Sequence, residues 1–268
     1  MKIIVSHDVD LITAWENSKN LGIVKLIARS STELALGKID LAQYILRFEE
    51  LLKNKLHNLG ELMEFDKQSN IPSTFFIGVN HGLGLNYSLK NAECWIKQII
   101  ARGFDVGVHG IEFNNLEGIK KEYDTFQKLS GLKKFGIRMH YLRNCENTLE
   151  FLNEAGYLFD STIFNSGNVS RVGNLWEFPL HLMDSSLFNQ NSRWQKLTLQ
   201  QAKDITLKRL EEATKTVTYF TILLHDRYFS DSFKAWKQWY IWTIEYLRKN
   251  NFEFVSYRKA VDELQIDL

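Results

Sequence analysis

Proline is almost missing from this chain, with only Pro72 and Pro179 in 268 residues. No proline-rich spacer can divide it, and no internal repeat or low-complexity tract interrupts it. One domain over 1–268 is the expectation, since that length suits a single α/β barrel. Cysteine is equally scarce. Cys94 and Cys145 fit no zinc-ligand spacing and make no disulfide framework. A reducing compartment is compatible with that usage. No excess of one charge exists either: 33 basic side chains face 32 acidic ones. A net charge of +1 leaves no electrostatic footprint for nucleic acid. Long apolar runs are also lacking. The run after Lys2 is far too short for a signal core or a transmembrane segment. A cytoplasmic protein is therefore expected. Contact with a membrane surface stays open, because tryptophan and phenylalanine are plentiful.

Short β-branched and aromatic runs alternate with longer helical patterns. Lys2–Val5, Ser73–Gly78, Phe104–Val108, Phe135–Met139, Leu175–Phe178, Val217–Leu224 and Phe252–Tyr257 read as strands buried on both faces. Ser88–Gly103, Thr198–Ala213 and Asp231–Leu247 repeat apolar residues at helical spacing. Thr198 and Gln201 stand at capping-box spacing. The alternation predicts a largely parallel sheet, open or closed into a barrel. Ile12–Asn70 breaks the rhythm. It is an elaborated insertion at about 12–70, with an amphipathic helix from about Asp40. A connection that long is unusual and often functional.

Working groups of parallel α/β folds gather beyond the carboxyl ends of the strands. The first strand runs into His7, Asp8 and Asp10. Another runs into His109. Arg138 precedes His140 and Tyr141, and His225 with Asp226 follow the run from Val217. One polar residue after a strand is usually a loop cap; four strands aiming His, Asp or Arg at one rim are not so easily dismissed. Asp, His and a further ligand suit a divalent cation such as zinc with one position open to water. Of Asp8 and Asp10, one could bind metal while the other accepts a proton. His225 could donate one, and Arg138 could keep the base carboxylate ionised.

These residues resemble the polysaccharide deacetylases, the NodB-homology carbohydrate esterases. SHDVD, IPSTFFIGVN, GFDVGVHG, RMHY, AGYLFDST and ILLHD match that family's motifs in order over nearly the whole chain. The resemblance implies a distorted (β/α)7-type barrel and a divalent metal, with zinc the natural choice. It implies Asp8 as general base, Asp10 and His109 as metal ligands and Arg138 as the group that positions Asp8. The Tyr141 N–H would bind the oxyanion, and His225 would be the general acid. One departure matters. Where the family has a second metal histidine, four residues after the first, this chain has Phe113. His140, Glu112 or His81 could supply the missing donor, with His140 slightly preferred because imidazole would replace imidazole.

The implied activity is hydrolysis of an N-acyl amide on an amino sugar, N-deacetylation or N-deformylation, within a glycan precursor. Two rivals follow from the same residues: a sugar-binding barrel that has lost catalysis, and an amidohydrolase acting on a non-sugar C–N bond. Trp236, Trp239 and Trp242 are spaced for helix packing, whereas Trp176 is the better sugar platform. His7 reads as a wall residue that orients its neighbours.

Overall fold

The computed structural model describes residues 1–16, 22–190 and 192–266. Among the described residues, nine strands form one curled sheet. Its centre is β1 (Lys2–Val9), β2 (Thr74–Ile77), β3 (Asp105–Gly110) and β4 (Ile137–Met139), all parallel. Beyond β4 lie β5 (Phe159–Asp160), β7 (Leu175–Glu177) and the antiparallel β6 (Ser170–Val172). On the other flank, β9 (Tyr219–Leu223) pairs with β1 and β8 (Leu182–Met183) pairs with β9. The stretch from Leu175 to Met183 is hydrogen-bonded to β5 at its start and to β9 at its end. It therefore joins the two flanks, and the sheet curls as the expected barrel does.

Helices cover the outside: α4 (Leu89–Ala101), α5 (Leu116–Ser130), α6 (Thr148–Ala155), α7 (Asp184–Asn189), α8 (Leu199–Ala213) and α9 (Lys234–Lys249). The expected Thr198 capping box is present at α8. Between β1 and β2 stand three helices, α1 (Gly22–Ala35), α2 (Leu41–Leu52) and α3 (Leu59–Gln68). Residues 17–21 of that stretch lie outside the described ones.

Period-two alternation on β1 sorts its side chains. Ile3, Val5 and Val9 pack outward against the helical layer. Ile4 points inward to a plug of Phe76, Phe159, Phe178 and Tyr219. Tyr257, Ala260 and Val261 of α10 (Tyr257–Ile266) close that plug from below. Above it the inward side chains turn polar: Ser6, then Asp8. Gly107 keeps β3 close to its neighbours, since a Cβ there would meet the Phe76 ring and the Gly136 carbonyl at 2.8 Å.

Phe252–Tyr257 does not become a strand. β2 reaches only as far as Ser6 along β1. Ile3 is left to bond Glu253 and Val255, and the chain enters α10 at Tyr257. Trp236 and Trp239 are fully buried, as helix packing requires. Trp176 is 7% exposed and packs beside the plug, so it offers no open platform for a sugar.

Candidate active site

Asp8 ends the inward row of β1, and its carboxylate is fixed from below. Arg138, on β4, is fully buried and uses all five of its N–H donors. Nε donates to the Ser161 carbonyl at 2.8 Å. Nη1 reaches the Ser6 hydroxyl and Asp8 Oδ1, both at 2.9 Å. Nη2 donates to the Ser161 and Tyr257 hydroxyls, also at 2.9 Å. Burial by itself would raise the Asp8 carboxyl, but the Arg138 charge beside it, with His109 and His225, holds it below the ordinary range. Asp8 is thus a buried, aimed and ionised carboxylate.

Two residues on, the chain leaves the strand and Asp10 turns toward β3 and β4. Its Oδ1 lies 3.1 Å from His109 Nε2 and 3.3 Å from His140 Nδ1. The two ring nitrogens are 3.0 Å apart. The opposite nitrogen of each ring faces a backbone carbonyl: His109 Nδ1 lies 3.1 Å from the Arg138 oxygen, and His140 Nε2 lies 3.3 Å from the Leu83 oxygen. Carbonyls only accept, so those nitrogens carry the hydrogens. His109 Nε2 and His140 Nδ1 are then bare lone pairs, facing each other and a carboxylate. Three acceptors this close repel unless a positive charge sits among them. Zinc bonds of about 2.0–2.1 Å in a tetrahedron place neighbouring donors roughly 3.3 Å apart. The donor spacing and chemistry therefore fit a divalent cation. Burial would lower the His140 imidazole, and Asp10 more than offsets it, raising the group above its usual value.

His225 follows β9 on the far side of Asp10. Its Nδ1 is 2.7 Å from Asp184 Oδ1, and its backbone N–H donates to Asp184 Oδ2 at 2.7 Å. Its Nε2 faces Asp10 Oδ2 at 3.7 Å. Burial works against the charged imidazole here, but buried Asp184, then Asp10 and Asp8, raise it well above the ordinary histidine value. Asp184 was missed in the sequence, although it opens α7 directly after a short apolar strand and so occupies the same kind of strand-end position as the other groups.

Tyr141 and Leu142 both hold left-handed backbone, at φ 57° and 51°. Such angles cost non-glycine residues energy and often mark functional sites. They turn the chain sharply after His140, leaving Tyr141 exposed at the mouth with its ring against the His140 imidazole, centroids 4.0 Å apart.

The remaining candidates lie elsewhere. Glu112 leans against Gly118 of α5 and lines a separate crevice with Asn80 and Glu122. His81 Nε2 bonds the Tyr87 carbonyl at 3.0 Å. Phe113 packs against the outer core with Arg143 over its ring at 4.2 Å, away from the histidines. His7 bonds the Leu224 carbonyl and Asp66, as a wall residue does. Among the described residues, Asp10, His109 and His140 form the group able to hold an ion.

No protein-family model matches the chain, and no curated protein does. Solved structures do. One assigned as a polysaccharide deacetylase from Mycobacterium smegmatis superposes with a TM-score of 0.63 at 15% identity, covering 99% of this chain and 90% of that one. Another from Pseudomonas aeruginosa PAO1 gives 0.60 at 13%, covering 97% and 88%. A carbohydrate esterase family 4 pseudoenzyme from Bacillus anthracis gives 0.51 at 11%, covering 98% of this chain and 66% of that one. At such identities the likeness is one of architecture, and the chain has the NodB-like polysaccharide deacetylase fold.

Proposed function

We propose that this chain is a metal-dependent hydrolase that removes an N-acyl group, acetyl or formyl, from an amino sugar of a glycan precursor. The observation that carries this reading is the meeting of bare His109 and His140 nitrogens with Asp10 Oδ1, between an ionised Asp8 on one side and a charged His225 on the other. Asp10, His109 and His140 would hold the cation, zinc by the nature of its donors. A cation there supplies Lewis-acid polarisation of the acyl carbonyl and acidification of water.

The protein's own groups do the rest. Asp8, kept charged by Arg138, takes a proton from the attacking water as its oxygen bonds the acyl carbon. The Tyr141 N–H donates to the former carbonyl oxygen as that atom gains charge. The C–N bond then breaks. His225 gives its Nε2 proton to the departing nitrogen, while Asp184 stabilises the imidazolium beforehand and orients the ring throughout. The products are the free amino sugar and acetate or formate. His140 replaces, from an adjacent strand end, the donor that Phe113 cannot provide, which favours a working site over a degenerate one.

Acetate release from a panel of N-acetyl amino sugars tests the reading. Asp8→Asn and His225→Ala should each lower turnover by about 10²–10⁴-fold, the usual worth of acid–base groups. Bound zinc, measured by elemental analysis, should stay near one per chain in His225→Ala and fall sharply in His140→Ala, with Glu112→Ala unaffected. Near-normal turnover in both acid–base variants, or zinc retained without His140, would remove the mechanism.

A further inference from the structure

The α1–α2 hairpin is amphipathic the wrong way round. Helices on a globular surface bury their apolar stripe and wet their charges. Here α2 buries Arg47, 2% exposed, while Leu41, Ile45 and Leu46 are exposed and Leu52 is 85% exposed. In α1 the fully buried residues are Ser30 and Glu33, while Ile23, Leu26, Ile27 and Leu34 are half-buried and Val24 is exposed. Leu36, just past α1, is exposed as well. Seven of the twelve exposed large apolar side chains among the described residues fall between Trp15 and Leu52. Exposed apolar side chains gathered on one hairpin point to a contact surface rather than ordinary scatter.

The polar inner face explains the inversion. Arg47 Nη1 meets Glu33 Oε2 at 2.5 Å, and Arg47 Nε donates to the Ser232 carbonyl at 3.0 Å. Arg29 Nη1 donates to the Tyr228 hydroxyl at 3.0 Å. These bonds pin the hairpin against the turns that follow His225, and the Tyr228 ring lies edge-on to His225. The apolar side is left facing outward, beside the mouth of the barrel. Ser31 pairs with Tyr44 and Ser30 with Arg47, so the two helices run antiparallel. Val24 and Leu52 therefore share one end, and Leu36 and Leu41 share the other. Trp15 adjoins the first end through its N–H bond to Asn54.

The rim of the patch selects its occupant. Lys25 stands beside Val24, Lys38 beside Leu36, and Lys53 and Lys55 beyond Leu52, all exposed. Among the described residues, exposed Asp40 and half-exposed Glu49, the latter paired with Lys53 at 3.1 Å, oppose them there. Two copies meeting through this face would bring lysines against lysines. An anionic lipid surface receives leucine and isoleucine into its acyl boundary, tryptophan at headgroup level and lysines on its phosphates.

We propose that the α1–α2 hairpin docks this protein on an anionic lipid bilayer, lying in the interface without crossing it and holding the barrel mouth near the headgroups. No helix among the described residues is long and apolar enough to span a membrane. The surface stands apart from the hydrolase reading and can hold if that reading fails.

Flotation of the full chain with two vesicle types tests it: phosphatidylcholine alone, and equimolar phosphatidylcholine and phosphatidylglycerol. The bound fraction should be about tenfold higher on the anionic vesicles and should fall with salt. The combined variant Leu41→Ser, Ile45→Ser, Leu52→Ser should lose about tenfold or more of that binding while keeping its melting temperature. Lys38→Glu with Lys53→Glu should lose a similar factor and leave the apolar face intact. No binding to anionic vesicles at low salt overturns the proposal. So does a wild-type dimer that the triple serine variant makes monomeric, because the face then belongs to a second copy. Zinc content read on the same samples keeps the two readings separate: vesicle binding by a zinc-free chain supports the docking surface and counts against the hydrolase.

Discussion

Asp184 does for His225 what Arg138 does for Asp8. Each supplies the opposite charge and fixes one edge of its partner, leaving Asp8 Oδ2 facing His109 Nε2 at 3.9 Å and His225 Nε2 facing Asp10 Oδ2 at 3.7 Å. The two pairs push their groups in opposite directions, the carboxyl down and the imidazole up, as the proposed base and acid would need in order to coexist at one pH. Asp184→Asn keeps the shape but only one of the two acceptors that hold His225, sets an amide NH₂ against the other donor, and removes the charge. Turnover should fall by about 10²-fold with zinc content unchanged, as steady-state rates and elemental analysis would show. A loss of zinc instead would make Asp184 part of the metal site. At this scale the sequence was informative wherever a strand end was obvious. Asp8, Asp10, His109, Arg138, His140 and His225 all follow or finish legible strands. Asp184 follows a strand of two residues, too short for alternation to announce it.

At the scale of elements, α5 clamps two loops of the candidate site's rim. Its buried Glu122 accepts from the Ile111 N–H at 3.0 Å, just after His109, and from Asn80 at 3.0 Å, on the loop that leads to Leu83. Burial is the main cause that lifts this carboxyl to about 7, against the hydrogen bonds that lower it. The sign follows. The folded chain holds the proton more tightly than the unfolded chain, so this group's contribution is fully present below about 4.5 and is lost as pH rises through about 7. The full span is on the order of 3 kcal/mol, at about 1.4 kcal/mol per pKa unit. Melting temperature should therefore decline between those pH values, and Glu122→Gln should flatten the decline. An identical slope in both proteins would show that Glu122 does not titrate there. None of this is visible in a linear reading, where Glu122 is one more polar residue on a helix with no partner in sight.

Across the whole molecule, the proposed cation binding would be linked to folding. The candidate donors come from three separate segments, the ends of β1, β3 and β4, so the unfolded chain has no such site and a metal held there would stabilise the fold by mass action. At a zinc concentration about one hundred times the dissociation constant, that contribution is about 2.7 kcal/mol. A chelator should lower the urea midpoint accordingly. An unchanged midpoint would mean that the ion, if bound, is not held by these converging segments.

Period-two strands and helical stripes of apolar residues determined the alternation of elements, and with it a parallel sheet whose strand ends carry the chemistry, because backbone geometry writes those periods directly into side-chain order. Only the tertiary structure separates the candidates for the donor that Phe113 cannot be. Glu112 is nearer in sequence to the usual position, yet β4 lies beside β3 and so brings His140 within 3.0 Å of His109, while Glu112 turns outward. It also decided the facing of α2. The spacing of Leu41, Ile45 and Leu52 marks an apolar stripe, but whether that stripe meets core or solvent depends on what Arg47 and Arg29 can reach across the fold, and they reach Glu33, Ser232 and Tyr228.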